Sequence, residues 1–126
     1  MSPTENDRQP LRIEQSNGTT IVHFQSTAIY WSFPEYDDAD VLKEKLKYLI
    51  GQGHIDLVLE LSTVEFVSSM FLGILMLLER RLKQLGGRLR LCSLQPDVEQ
   101  ILHVCGLHRY FEIYPDPPTA LASRRP

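Results

Sequence analysis

The sequence predicts an α/β domain: a mixed sheet of four to five strands, opened by a β-hairpin and packed against three to four helices. Three observations carry that expectation. Asn17-Gly18 separates two β-rich runs, and this dipeptide tolerates the two positive φ angles of a type I′ hairpin turn. Beyond residue 40, helical apolar stripes alternate with short apolar runs, which is the grammar of α/β crossovers. Glycines at 51, 53, 86, 87 and 106 fall where those helices should stop.

Residues 1–10 hold two prolines and almost no apolar side chains, and read as a flexible lead-in. Leu11-Arg12-Ile13 and Ile21-Val22-His23-Phe24 are the hairpin strands. The segment from Ser26 to Asp38 clusters Ile29, Tyr30, Trp31 and Phe33 without a clean period. It reads as a short strand plus a loop covering one end of the sheet, or as an aromatic partner site. Asp37, Asp38 and Asp40 place negative charge where a helix would begin. Leu42, Leu46, Leu49 and Ile50 form its apolar stripe, with Lys43, Glu44, Lys45 and Lys47 on the solvated side.

Residues 55–61 are an interior strand, and 88–92 repeat the sequence of helix, turn and strand. Gln95-Pro96 opens a third helix whose apolar face is Val98, Ile101, Leu102 and Cys105. Residues 111–114 are a last strand, and a short helix is expected around Thr119 to Ser123. The domain thus covers residues 11–122, with 123–126 as a tail.

With 126 residues a single domain is expected, and a 43% hydrophobic content suffices for one core. A formal charge of −3 gives no basic footprint, so nucleic acid is not an expected partner. The longest apolar run, Met70 to Leu78, is far below the ~20 residues that span a bilayer, so no membrane partner is expected either. The polar, acidic start lacks the features of a signal peptide, which makes cytoplasmic residence the expectation. Cys92 and Cys105, without a C-x-x-C pattern, read as reduced, buried thiols.

From residue 55 onward the chain runs Leu57-Val58-Leu59-Glu60-Leu61, Phe66, Ser69, Leu72-Gly73, Leu82-Lys83, Gly86-Gly87, Leu89, Leu91, then Gly106-Leu107 ahead of Phe111. This ordered combination resembles the STAS domain, the module shared by anti-sigma factor antagonists and the cytoplasmic ends of sulfate transporters. The resemblance extends over roughly residues 11–122 and implies a regulatory docking module, with an anti-sigma factor of serine-kinase type as partner. In the family the turn before the second helix typically reads Asp-Ser-Ser-Gly-Leu-Gly, and the partner kinase phosphorylates the second serine. Counting back from Gly86-Gly87 without a gap puts Leu72-Gly73 on the family's Leu-Gly. Ser69 then falls on the first serine, Ser68 on the aspartate, Met70 on the phosphoacceptor and Phe71 on the glycine. Met70 has no hydroxyl. Phosphate control therefore needs Ser69 or Ser68, or is absent and the chain is a phosphate-independent scaffold in a signalling complex.

A serine at this position is first a helix cap, worth ~1 kcal/mol, a reading open to both Ser68 and Ser69; Ser69 is taken as the cap and as the leading candidate phosphoacceptor. A phosphate there would face free backbone N–H groups. On a helical wheel Phe71, Leu75, Leu78, Leu82 and Leu85 form the core stripe, with Leu72 beside it. Met70, Gly73 and Leu77 lie on the far side, followed by Arg80, Arg81 and Gln84. The expected partner surface is accordingly Ser68, Ser69, Met70, Gly73, Leu77 and Arg80. The alternative is that this side packs under Tyr30-Trp31. A monomer or weak dimer is expected.

Enzymatic readings are weaker. A nucleophilic serine needs a base in reach, whereas His23, His54, His103 and His108 are scattered and no G-x-S-x-G is present. A small hydrolase using Ser68 or Ser69 is the remaining enzyme class. His103 and Cys105 would point roughly 200° apart on a helix, so His103-x-Cys105-x-x-His108 is not expected to hold a metal. No phosphate-binding loop is present, and no cofactor is expected.

Overall fold

A computed structural model describes residues 11–25 and 38–124. The sheet has five strands in the order β1-β2-β3-β4-β5. β1 (Leu11–Ser16) and β2 (Thr19–Phe24) are the antiparallel hairpin. At its turn Asn17 and Gly18 take φ values of 50° and 85°, the two left-handed positions the type I′ geometry requires. β3 (Asp56–Glu60), β4 (Arg88–Cys92) and β5 (Glu112–Tyr114) are added in parallel. Parallel neighbours need crossovers, and the helices supply them: α1 (Asp38–Gly51), α2 (Ser69–Gln84) and α3 (Pro96–Val104), the last followed by a 3-10 turn at Leu107–Arg109. A short α4 (Pro117–Ala122) ends the fold.

Strand periodicity of two assigns the faces. Val22, Phe24, Leu57, Leu59, Leu89 and Leu91 point to one side and share a core with Leu42 and Leu46 of α1, Phe71 and Leu75 of α2, and Val98 of α3. Burying each such side chain is worth roughly 2 kcal/mol, so this side carries most of the apolar stabilisation. Ile21, Val58 and Cys92 point the other way and are covered by Ala120 of α4.

Gly86-Gly87 separates α2 from β4 for two different reasons. Gly86 turns left-handed, with φ of 77°, which a side chain would resist. Gly87 is needed for space, because a Cβ there would sit 2.2 Å from the Ile55 carbonyl oxygen. That oxygen also accepts the Arg88 N–H at 2.8 Å, so sheet pairing itself draws the two backbones together.

Several expectations are corrected. Leu85, assigned to the core stripe, is 40% exposed, because α2 ends at Gln84 and Leu85 is its C-cap. Cys105, expected to be buried, is exposed at the C-cap of α3, whereas Cys92 is buried and its thiol is pushed up to about 11 by that burial. Both thiols are free. The strand expected over 55–61 spans 56–60, and α4 starts before Thr119 because Asp116 caps it, accepting the Thr119 N–H at 2.8 Å. Asp37 and the aromatic segment read around Ile29 to Phe33 lie outside the described residues.

The alternating arginines of β4 do more than mark a strand. Arg90 is 2% exposed, donates to Asp56 at 2.5 Å and to the Ala120 carbonyl at 2.5 Å, and so ties β3 to α4. Arg88 forks onto Glu112 and donates to the carbonyls of Ser123 and Arg124, fastening the end of the chain to the sheet.

Candidate docking site

Between β3 and α2 the chain crosses in the eight residues Leu61–Ser68, and this crossing is held at several points. The Leu61 N–H donates to the Cys92 carbonyl at 3.1 Å, and the Thr63 hydroxyl donates to the Phe24 carbonyl. From α3, the Gln95 side-chain amide donates to the Ser62 carbonyl at 2.7 Å. Glu60 accepts the Ser62 N–H at 2.9 Å. Burial pushes the Glu60 carboxyl up, but hydrogen bonds from Ser62 and His23 outweigh it and hold the group below its ordinary range. Val64 and Val67 turn into the core, and Phe66, lying between them, is left 53% exposed.

Ser68 is the N-cap of α2, with φ of −89° and ψ of 166°, and its Oγ accepts the Phe71 N–H at 3.1 Å. This corrects the expectation that Ser69 caps the helix. Ser69 is the first helical residue and is exposed, so its hydroxyl is free of the capping role that occupies Ser68. The cap also sets the angle at which Phe71 enters the core, where its ring packs edge-on against Phe24 at 5.9 Å. No acidic residue lies in the first turn of α2, so the positive end of the helix dipole is not offset by its own side chains.

Along α2 the expected division of faces holds except at its end. Phe71, Leu72, Leu75, Leu78 and Leu82 are buried. Met70 is 55% and Leu77 56% exposed, with Met76 beside them at 39%. Gly73 is half-buried, and a Cβ there would meet nothing within 4 Å. No internal neighbour therefore demands glycine. Arg80 and Arg81 are exposed one turn further on, continuing the same surface. Structure thus places Ser69, Met70, Leu77 and Arg80 together on an outward surface, with Ser68 at its edge and Gly73 within it. Phe66, exposed in the crossing that leads to the cap, was not among the residues singled out as a site. Val64 and Val67 turn inward and both residues between them, Glu65 and Phe66, are turned out, an outcome the sequence alone did not assign.

Other titratable groups are engaged elsewhere. His23 bridges Glu14 at 2.8 Å and Glu60 at 3.4 Å on the opposite face of the sheet. His54 lies 3.1 Å from the Thr20 hydroxyl. His103 and His108 stack with ring centroids 4.0 Å apart, so both rings present faces to each other instead of nitrogens to a shared ion. Among the described residues no group of three or more His, Cys, Asp or Glu side chains is arranged to hold a metal. Among them, too, no helix is long and apolar enough to cross a membrane.

A five-stranded α/β sheet with a pinned crossing and a serine-capped second helix defines a small α/β domain whose helix start carries an exposed apolar turn. The STAS domain family model matches residues 11–120, and the chain belongs to the STAS domain family. It is 29% identical over 76 residues to a Bordetella bronchiseptica protein provisionally named the anti-sigma factor antagonist BtrV, a match covering 60% of this chain and 66% of that one. It is 23% identical over 112 residues to the anti-sigma F factor antagonist of Paenibacillus polymyxa, covering 88% of this chain and 91% of the relative. Among solved structures, an anti-sigma factor antagonist from Mycobacterium paratuberculosis superposes with a TM-score of 0.73 at 23% identity, over 94% of this chain and 96% of the other. Bacillus SpoIIAA in its phosphorylated form superposes with a TM-score of 0.64 at 16% identity, over 88% and 96%.

Proposed function

We propose that this chain is an anti-sigma factor antagonist that acts by docking, through the loop before α2 and its first turns, onto an anti-sigma factor of serine-kinase type. The observation that carries this reading is the more than half exposure of Met70 and Leu77, one helical face apart from a fully packed core stripe. Two large apolar side chains in water beside a charged rim are what a contact surface needs, with the apolar centre supplying affinity and Arg80 sitting at the edge. Gly73 keeps the middle of that surface low, which lets a partner backbone come close. In this reading the chain is ligand or substrate of the partner and not an enzyme, and it works in the cytoplasm.

Substitution tests the surface directly. Met70→Asp and Leu77→Asp should each leave the circular dichroism spectrum unchanged and weaken capture of the anti-sigma partner by about thirtyfold or more, the scale of an interface hot spot. Undiminished capture by both variants removes this surface from the function.

Phosphate control is proposed at Ser69, not Ser68. Ser69 is exposed at the first position of a 16-residue helix, while the Ser68 oxygen is committed to the Phe71 N–H. A phosphate on Ser69 would bring roughly −1.5 to −2 charges onto the apolar surface. Incubation with the cognate kinase and ATP should add one phosphate by intact mass, and Ser69→Ala should abolish that gain. The second reading, a phosphate-independent scaffold, is favoured by Met70 at the family's phosphoacceptor position, and an unchanged mass after incubation selects it.

A further inference from the structure

A groove of about 340 Å³ runs between α1 and α2, away from the capped turn. Its α1 wall is Lys43, Leu46, Lys47 and Ile50; its α2 wall is Ile74, Leu77, Leu78 and Arg81. Both walls follow the same i, i+3, i+4, i+7 spacing, so each helix offers one continuous stripe. Leu46 and Leu78, 2% and 5% exposed, make the floor, with Ile50 and Ile74 half-buried above them. All three charged residues on the rim are cations and all are exposed, in a chain whose net charge is −3. Of these three cations only Lys47 has an ion-pair partner among the described residues, Glu44 at 3.9 Å, and both of those side chains are largely in water. Such a pair is worth little and leaves the lysine available.

We infer that this groove is a second docking subsite, and that it takes an acidic amphipathic helix from the partner. The eight residues of each wall span about 10 Å, enough for two turns of a docked helix. An apolar floor selects anchors at i, i+3 or i+4, and i+7, as in other helix-in-groove contacts. Cations on both walls select Glu or Asp on both flanks of that apolar stripe and repel a basic helix. Leu77 lies at the junction of this groove and the α2 start, so one partner can span both. The inference rests on the docking reading only through Leu77, because Lys43, Lys47 and Ile50 belong to the groove alone.

Fluorescence anisotropy with a labelled synthetic peptide tests it. The probe is a helix of about 14 residues with leucines at the stated spacing flanked by glutamates; its control carries lysines in their place. Wild-type protein should bind the acidic probe and not the basic one, with affinity falling as salt rises. The double variant Lys43→Glu, Lys47→Glu should keep its circular dichroism spectrum and bind the acidic probe about tenfold or more weakly. Amide chemical-shift changes should concentrate on residues 43–50 and 74–81. Met70→Asp should leave probe binding intact, which separates failure of this subsite from failure of the α2 docking surface. Equal binding of both probes, no loss in the double variant, or no binding to wild type overturns the inference. So does a self-association in sedimentation velocity that Ile50→Asp abolishes, since the groove would then be filled by a second copy.

Discussion

The two sides of the molecule invert the usual distribution of polarity, in opposite directions. On the outer surface of α2, Met70 and Leu77 are more than half exposed. Behind the sheet, Arg90 is almost fully buried and Arg88 is 9% exposed. Both arrangements cost free energy unless something compensates. The buried arginines are compensated internally: carboxylates, carbonyls and hydroxyls meet them, and only Nε of Arg90 lacks a partner. Among the described residues the exposed apolar side chains have no such compensating partner. The back of the sheet is therefore a structural device, and the outer turns of α2 are the surface on which the proposed partner would dock.

Substitutions on the two sides should separate accordingly. Arg90→Ala is the most damaging, at about 3 kcal/mol in urea denaturation, because it leaves the Ala120 carbonyl without its side-chain donor and Asp56 with only the Thr19 hydroxyl. Arg90→Met, which keeps much of the volume, should recover part of that loss. A cost below about 1 kcal/mol for the alanine variant would mean that α4 is held by its apolar contacts alone.

Two glutamates in one cleft beside Gly86-Gly87 should respond oppositely to pH. Burial pushes Glu112 up, but hydrogen bonds from Arg88 and Tyr114 outweigh it and hold the carboxyl below its ordinary range. Its stabilisation is present above the unfolded value, about 4.3, and is lost as pH falls through the folded one. Glu112→Gln should thus cost about 2 kcal/mol at neutral pH, with the difference from wild type shrinking in acid. Glu79 is raised, chiefly by burial, with Lys83 at 3.5 Å only partly opposing it and one carboxylate oxygen unpartnered. A raised carboxyl favours folding below the unfolded value and loses that contribution as pH climbs through the folded one. Glu79→Gln should therefore stabilise the protein at neutral pH, with no gain near about pH 4. Denaturation midpoints across that range decide both; parallel behaviour of the two variants would remove the distinction.

Smaller effects sharpen the helix start. Ser68→Ala should cost about 1 kcal/mol and Ser69→Ala under about 0.5, since only the first removes a cap. Gly73→Ala should gain about 1 kcal/mol of stability, because its Cβ meets nothing, while weakening partner capture. If Gly73→Ala improves both, close backbone approach at that glycine is wrong.

What was legible in sequence was whatever local chemistry dictates. Asn17-Gly18 predicted the hairpin turn and the helical period predicted the stripe from Phe71 to Leu82, because both depend on residues close along the chain. The α2 face carrying Met70 and Leu77 followed from that same period. Four things needed the tertiary structure. A one-residue difference in where the helix begins made Ser68, not Ser69, the cap. The end of α2 at Gln84 put Leu85 into solvent. Gly87 proved necessary because of Ile55, thirty-two positions earlier, which strand pairing brings to it. Finally, Lys43 and Lys47 looked like an ordinary solvated face until α1 was laid beside α2. Periodicity assigns a residue to a face of its own element; only packing decides which other face lies opposite.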